Sequence, residues 1–299
     1  MSDYNLSDIT IILPTYKRFD KFKVTLESYI KNSPQEIIVV DDYSQCGYED
    51  YIVSLNNPKI KLLTHPQNLG SPVARQTGLK EVKTNLVFMG EDDVVLPENY
   101  LLNLLEVFNK ESLDVIASRL LQMVKKDESF EEALSRCDGV EGPFLSMKSL
   151  NSNFEVQDLY QETPFLHACS LFKIKILEKI NYVNYEGNAF REETDFYFQC
   201  YQKGFKCAFS SCVCAFHMFH DDEGGHGSLK KRSPLKYHFV WPVYNNNKFL
   251  NKYWLEIAKL TNLRSKILCK YKFAQVAFLS YLHIEHPSFF KFLKKILLR

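Results

Sequence analysis

The sequence predicts an α/β protein with a mostly parallel central sheet and flanking helices, followed by a basic helical C-terminal region. Two observations carry that reading. Apolar runs of strand length (Ile9-Thr10-Ile11-Ile12-Leu13, Ile37-Ile38-Val39-Val40, Leu86-Val87-Phe88-Met89) lack the alternation of a half-exposed strand, as expected when both faces are buried. Between them lie stretches with one apolar stripe at helical spacing, such as Phe22, Leu26, Tyr29 and Ile30. Strand, helix, strand, strand, helix, strand is the order of a largely parallel sheet with covered faces.

Taken in order, a strand over 9–14 ends at Pro14, and Thr15-Tyr16-Lys17-Arg18 forms a polar loop. A helix over 20–32 leads to a strand over 36–40, which ends in Asp41-Asp42. A strand over 60–63, a helix over 73–82 and a strand over 86–89 follow. The segment 114–161 is less regular, with a strand at 115–121 and a turn-rich break at 139–143. An apolar stretch over 165–172 leads into a helix over 173–180. Glu192, Glu193 and Asp195 cluster where acids favour a helix start, and Gly204 sits where a helix-ending glycine belongs. The next strand, over 207–216, runs into His217-Met218-Phe219-His220-Asp221-Asp222-Glu223-Gly224-Gly225-His226, a loop rich in metal- and phosphate-binding side chains. The last seventy residues read as helical, and the end of the chain from Phe289 mixes apolar and basic residues as interfacial helices do.

A hydrophobic fraction of 45% is ordinary for a globular protein. No apolar run reaches the ~18 residues of a spanning helix. The polar start, Met1-Ser2-Asp3-Tyr4, is no signal peptide, so a cytoplasmic location is expected. Eight cysteines without C-x-x-C spacing read as buried free thiols in a reducing compartment. Charge divides the chain. From residue 226 onward there are 15 Lys/Arg and two acids, against 22 basic and 34 acidic residues before it. The acidic front suits metal binding, and the basic tail suits phosphate or an anionic membrane surface.

The stretch around which the rest is organised is Met89-Gly90-Glu91-Asp92-Asp93-Val94. Three consecutive carboxylates between two buried segments repel one another and resist desolvation, so something must neutralise them. Mg²⁺ or Mn²⁺, held by one or two carboxylates with substrate phosphates completing the octahedron, would do so. In parallel sheets ligands bind beyond the carboxyl ends of the strands. Thr15-Tyr16, Asp41-Asp42 and Glu91-Asp92-Asp93 all lie there.

Together these residues resemble the family 2 glycosyltransferases of the GT-A (Rossmann-like) fold over most of residues 8–225. Pro14-Thr15-Tyr16, with Arg18 in the same loop, is similar to the family's first nucleotide-contacting loop, and Val39-Val40-Asp41-Asp42 to its second, which reads base or ribose. Asn68-Leu69-Gly70-Ser71-Pro72-Val73-Ala74-Arg75 is similar to the third. Glu91-Asp92-Asp93 stands at the D-x-D position, with glutamate for the first acid. The resemblance implies that Asp93 binds the metal, that Asp92 helps hold the ribose or metal, and that His217 completes the metal shell. Arg191-Glu192-Glu193-Thr194-Asp195 is similar to the segment supplying the catalytic base, which maps onto Glu193, with Glu192 and Asp195 as alternatives. It also implies an inverting hexosyltransferase that uses Mn²⁺ or Mg²⁺ and a nucleotide-sugar donor, UDP-sugar favoured, with a glycan or lipid-linked acceptor. Cell-surface polysaccharide synthesis at the inner face of the membrane is the expected setting, with no nucleic acid partner. The expected division is a catalytic domain over 1–225 (nucleotide half 1–110, acceptor half 111–225) and a basic helical extension over 226–299.

Two other classes fit the sequence less well. A nucleotidyltransferase should carry a glycine-rich loop after its first strand, and Thr15-Tyr16-Lys17-Arg18 has no glycine. A non-catalytic nucleotide-sugar or glycan binding protein of the same fold predicts decay of the acids, yet the motif positions retain acids or hydrogen-bond donors.

Overall fold

The computed structural model describes residues 3–219 and 227–291. The loop over 220–226 and the end of the tail over 292–299, both singled out above, lie outside the described residues. In chain order the elements are β1 (Ile9–Thr15), α1 (Phe19–Lys31), β2 (Glu36–Asp41), α2 (Tyr48–Ser54), β3 (Ile60–Thr64), α3 (Ser71–Leu79) and β4 (Leu86–Met89). Then come β5 (Val94–Val95), α4 (Tyr100–Lys110), β6 (Val115–Gln122), α5 (Phe130–Cys137), β7 (Tyr160–Glu162) and β8 (Ser170–Lys173). The last are α6 (Glu192–Gln202), β9 (Cys207–His217), α7 (Gly227–Arg232), α8 (Trp241–Thr261) and α9 (Lys266–Glu285).

Among the described residues the strands form one nine-stranded sheet, ordered β3-β2-β1-β4-β8-β6-β9-β5, with β7 on β9. The pairs β1–β2, β1–β4, β2–β3 and β6–β9 are parallel, while β8, β5 and β7 run antiparallel to their neighbours. The chain builds outward from β1 to β3 and then returns to the other side of β1 for β4. That reversal opens a crevice at the carboxyl ends of β1 and β4.

The apolar strands are explained by two cores, one on each face. Ile9, Ile11, Leu13, Ile37, Val39 and Phe88 pack on one side with Phe22 and Leu26 of α1 and Leu104 of α4. Ile12, Ile38, Val40, Val87 and Met89 pack on the other with Phe196 of α6, Phe249 and Tyr253 of α8, and Cys269 of α9. The C-terminal helices therefore share a core with the sheet.

Local expectations fared unevenly. The helix expected over 173–180 is only a 3-10 segment, Ile174–Glu178, because Lys173 still belongs to β8 and the Ile174 N–H donates to the Asn85 carbonyl at 2.9 Å. All eight cysteines are free, but Cys212 is exposed and Cys46 and Cys214 are half-buried.

Candidate active site

The crevice is a cleft of about 1250 Å³. Its floor begins at the acidic turn. Gly90 ends β4 where a Cβ would lie 2.6 Å from the Tyr29 ring, so glycine alone lets the chain pass. The Tyr29 hydroxyl then receives the Glu91 N–H and donates to the Glu91 carbonyl, both at 3.2 Å. Asp92 crosses the crevice: Oδ2 accepts from Thr15 Oγ1 at 2.8 Å and from the Tyr16 N–H at 3.3 Å, tying β4 to the β1 loop. Arg18 Nη1 donates to Asp92 Oδ1 at 2.9 Å and to Asp93 Oδ2 at 2.6 Å. Antiparallel pairing of Val94 with His217 brings the imidazole beside the turn, with Nε2 3.7 Å from Asp93 Oδ1. Burial raises Asp92 to about 6 against the pull of Arg18, and burial with the neighbouring Asp93 raises Glu91.

Asp93 and His217 can serve a small divalent cation, whose adjacent ligands at ~2.1 Å stand roughly 3 Å apart. Their present separation is 3.7 Å. No cluster of three or more His, Cys, Asp or Glu suited to a metal occurs among the described residues. Arg18 holds Asp93 Oδ2 and supplies the neutralising charge in the structure as it stands.

The β2 end divides its two aspartates. Asp42 lines the cleft and accepts from the N–H groups of Leu69 and Gly70, both at 2.8 Å, and faces His65 Nδ1 at 2.8 Å. Gly70 has φ +88°, a left-handed value that makes this hairpin of donors accessible. Asp41 is turned inward, its Oδ1 accepting the Ser44 N–H at 2.9 Å, and does not line the cleft. Pro14, Thr15, Tyr16, Arg18 and Asn68 do.

Opposite the acidic turn stands the start of α6. Arg191, at φ +79°, is a non-glycine residue in left-handed conformation that turns the chain into the helix. It presents Glu192 and Glu193 to the cleft, where Arg75 of α3 meets them: Nη1 lies 2.8 Å from Glu192 Oε1 and 3.0 Å from Glu193 Oε1, and Nη2 is 3.5 Å from Glu91 Oε1. Arg75, expected at the donor, lines the cleft, is 3% exposed and is bonded to these carboxylates. Burial opposes its charge, but Glu192 and Glu193 outweigh that and raise its pKa. Glu192 is 1% exposed, and burial pushes it up to about 8 against the pull of Arg75. The Glu193 side chain remains 31% exposed. Asp195 faces away from the cleft, bonded to Lys252, Tyr185 and Tyr253.

Two contributions escaped sequence reasoning. His167 lies in the cleft wall; Nε2 bonds the Ser118 carbonyl at 2.7 Å, and Nδ1 is buried without a partner. Burial lowers its pKa to about 4, so the ring is neutral and Nδ1 is an available acceptor. A lone histidine in an apolar run gives no sequence signal. Lys230 and Lys231 of α7 close the rim, a basic pair whose placement depends on the fold.

The sequence profile described as Glycosyl transferase family 2 matches residues 10–180, more than half of the chain. The chain belongs to this family. A pre-mycofactocin glycosyltransferase of Mycobacterium tuberculosis is 28% identical over 118 residues, covering 40% of this family 2 chain and 24% of that protein. The match thus spans about a quarter of the curated relative's length. Among solved structures, S. aureus TarS 1-349 superposes with a TM-score of 0.56 at 16% identity, covering 94% of this chain and 73% of that one. TarS 1-349 in complex with UDP-GlcNAc gives 0.57 at 16%, covering 92% and 80%. GalNAc-T7 with UDP, GalNAc and Mn²⁺ gives 0.56 at 15%, covering 73% and 45%. These likenesses establish the GT-A fold.

Proposed function

We propose that this family 2 chain is an inverting, metal-assisted glycosyltransferase. It moves a sugar, of hexosyltransferase type, from a nucleotide donor (UDP-sugar favoured) to a hydroxyl of a glycan or lipid-linked acceptor. The setting proposed is cell-surface polysaccharide synthesis at the inner face of the membrane. The supporting observation is the opposition across one cleft of the Asp92–Asp93 turn and the partly exposed carboxylate of Glu193. The UDP and UDP-GlcNAc complexes of TarS and the Mn²⁺ complex of GalNAc-T7 favour this donor and metal class.

Thr15, Tyr16, Asp42 and the 68–70 loop form the nucleotide wall. Asp93 and His217, with Asp92 beside them, would hold Mn²⁺ or Mg²⁺, which when bound supplies Lewis-acid stabilisation of the diphosphate leaving group. Glu193 takes the proton from the acceptor hydroxyl as it attacks. Arg75 holds Glu193 in place, with Glu192 on the buried side of the same guanidinium. Attack on the face opposite the leaving group inverts the anomeric centre. The nucleotide-binding half over 1–110 and the acceptor half over 111–225 divide these roles.

The test is donor hydrolysis by purified protein with UDP-, GDP-, CMP- and dTDP-sugars, each with Mn²⁺ and with EDTA. Release of one nucleotide only with metal, abolished in Glu193→Gln with nucleotide binding retained, is expected. Silence across the panel, with no thermal shift from any nucleotide, would sink the reading.

A further inference from the structure

Helices α8 and α9 form an antiparallel hairpin closed by the short connection over 262–265, with Asn262 at φ +56° ending α8. Its inner face, including Phe249, Tyr253, Ile257 and Phe273, is core. Its outer face is not the polar surface this geometry calls for. Leu255 is 80% exposed and Ile267 81%, the two most exposed large hydrophobic side chains among the described residues. Lys270 Nζ donates to Asn251 Oδ1 at 2.8 Å, which sets the helix register and brings Leu255 level with Ile267 near the closed end. The apolar strip continues along α9 through exposed Leu268, Tyr271, Phe278 and Leu279, spaced for one helix face.

Around this strip basic side chains far outnumber acidic ones. Lys259 and Arg264 are exposed, Lys266 and Lys272 half-buried, and none of the four forms an ion pair among the described residues. Residues 227–291 contain 12 Lys/Arg and two acids, Glu256 and Glu285. Both acids are engaged: Glu256 accepts from Gln202 at 2.7 Å, and Glu285 lies 3.6 Å from His238. A second copy of the chain on this face would set cations against cations. No helix among the described residues is long and apolar enough to cross a bilayer. A surface with an apolar interior and fixed negative charge complements both features.

We infer that the outer face of the α8–α9 hairpin is a docking surface for an anionic phospholipid bilayer. Leu255 and Ile267 reach the acyl boundary, and Lys259, Arg264, Lys266 and Lys272 lie against lipid phosphates. This rests on the membrane-face reading above and moves its seat from the tail to the hairpin.

The experiment is co-sedimentation of the full chain with vesicles of phosphatidylcholine alone and of phosphatidylcholine mixed with phosphatidylglycerol. Binding to the mixed vesicles only, reversed by salt, is expected. Leu255→Ser with Ile267→Ser, and separately Lys259→Glu with Arg264→Glu, should each lower it by about tenfold or more. These are exposed positions, so melting temperature and donor hydrolysis in solution should not change. That separates this inference from the catalytic one: hydrolysis without vesicle binding overturns docking alone, and vesicle binding without hydrolysis overturns transfer alone. Docking at this face is also overturned if both double variants bind as the parent does, if binding is lost only on deleting 285–299, or if the substitutions abolish self-association while no vesicle binds.

Discussion

Helix α6 carries two carboxylate clusters within its first turn, and they are completed to different degrees. Around Asp195 every acceptor position is used. Oδ1 accepts from Gln199 at 2.8 Å, Lys252 at 3.0 Å and Tyr253 at 2.9 Å, and Oδ2 from Tyr185 at 2.8 Å and Lys252 at 3.0 Å. Around Arg75 the accounting stays open. Glu192 Oε2 and Arg75 Nε are buried without hydrogen-bond partners, and three glutamates compete for one guanidinium. Natural cores rarely leave such groups unmade, because each costs about 1–3 kcal/mol. The closed cluster fastens α6 to α8. The open one retains capacity for a ligand.

The largest expected effect follows from that contrast. Glu193→Gln should lower turnover by roughly 10²–10⁴-fold, read as kcat in a donor-release assay, with nucleotide binding retained by calorimetry. An equal loss of turnover per folded molecule in Asp195→Asn would erase the distinction. Asp195→Asn should instead reduce unfolding free energy by about 2 kcal/mol in urea titration, below the full value of a buried pair because the Lys252 side chain is 43% exposed. A smaller effect concerns Arg18, which occupies the acidic turn. Arg18→Met should lower the melting temperature of the ligand-free protein and tighten nucleotide-free Mn²⁺ binding by about tenfold, read by calorimetry. Unchanged Mn²⁺ affinity would show that the arginine does not compete for those oxygens.

The smallest effect is in pH. Glu192 is raised to about 8 in the fold, so the native state holds more protons than the unfolded chain between the ordinary glutamate value and pH 8. The contribution of Glu192 to stability should therefore fall as pH rises through that window. Glu192→Gln should flatten the slope of melting temperature against pH, by a few degrees across the window. A slope unchanged by the substitution would contradict the raised Glu192.

Sequence reading reached what depends on runs and spacing. β1, β2 and β4 were legible because burial on both faces leaves continuous apolar runs, and the acids were legible because they follow those strands directly. β5 has only two residues and owes its existence to pairing with β9. Helix α4 went unread although Tyr100, Leu101, Leu104, Leu105 and Phe108 mark its buried face, a signal that spacing alone offered. α2 and α5, at seven and eight residues, are too short for a firm periodicity. Asp195 stood as an alternative to Glu193, although two residues along a helix turn a side chain by about 200° round the axis. The groups that claim it come from α8 and from Tyr185. The pairing of Arg75 with Glu192 and Glu193 was equally out of reach, because those partners lie more than a hundred residues away.

Arg191 has a consequence for how this protein can be cut or recombined. Its guanidinium donates to Asn246 of α8 at 3.0 Å and to the carbonyls of Leu150 at 2.9 Å and Ser149 at 2.7 Å, beneath the rings of Phe249 and Phe273. Burial lowers its pKa to about 9, and its left-handed backbone sets the direction in which Glu192 and Glu193 leave. A chain shortened before α8 would lose the amide and the aromatic roof together, leaving a strained turn with its anchor in water. Chimeras among relatives face the same constraint: Arg191 and Asn246 must be inherited as a pair, although 55 positions separate them.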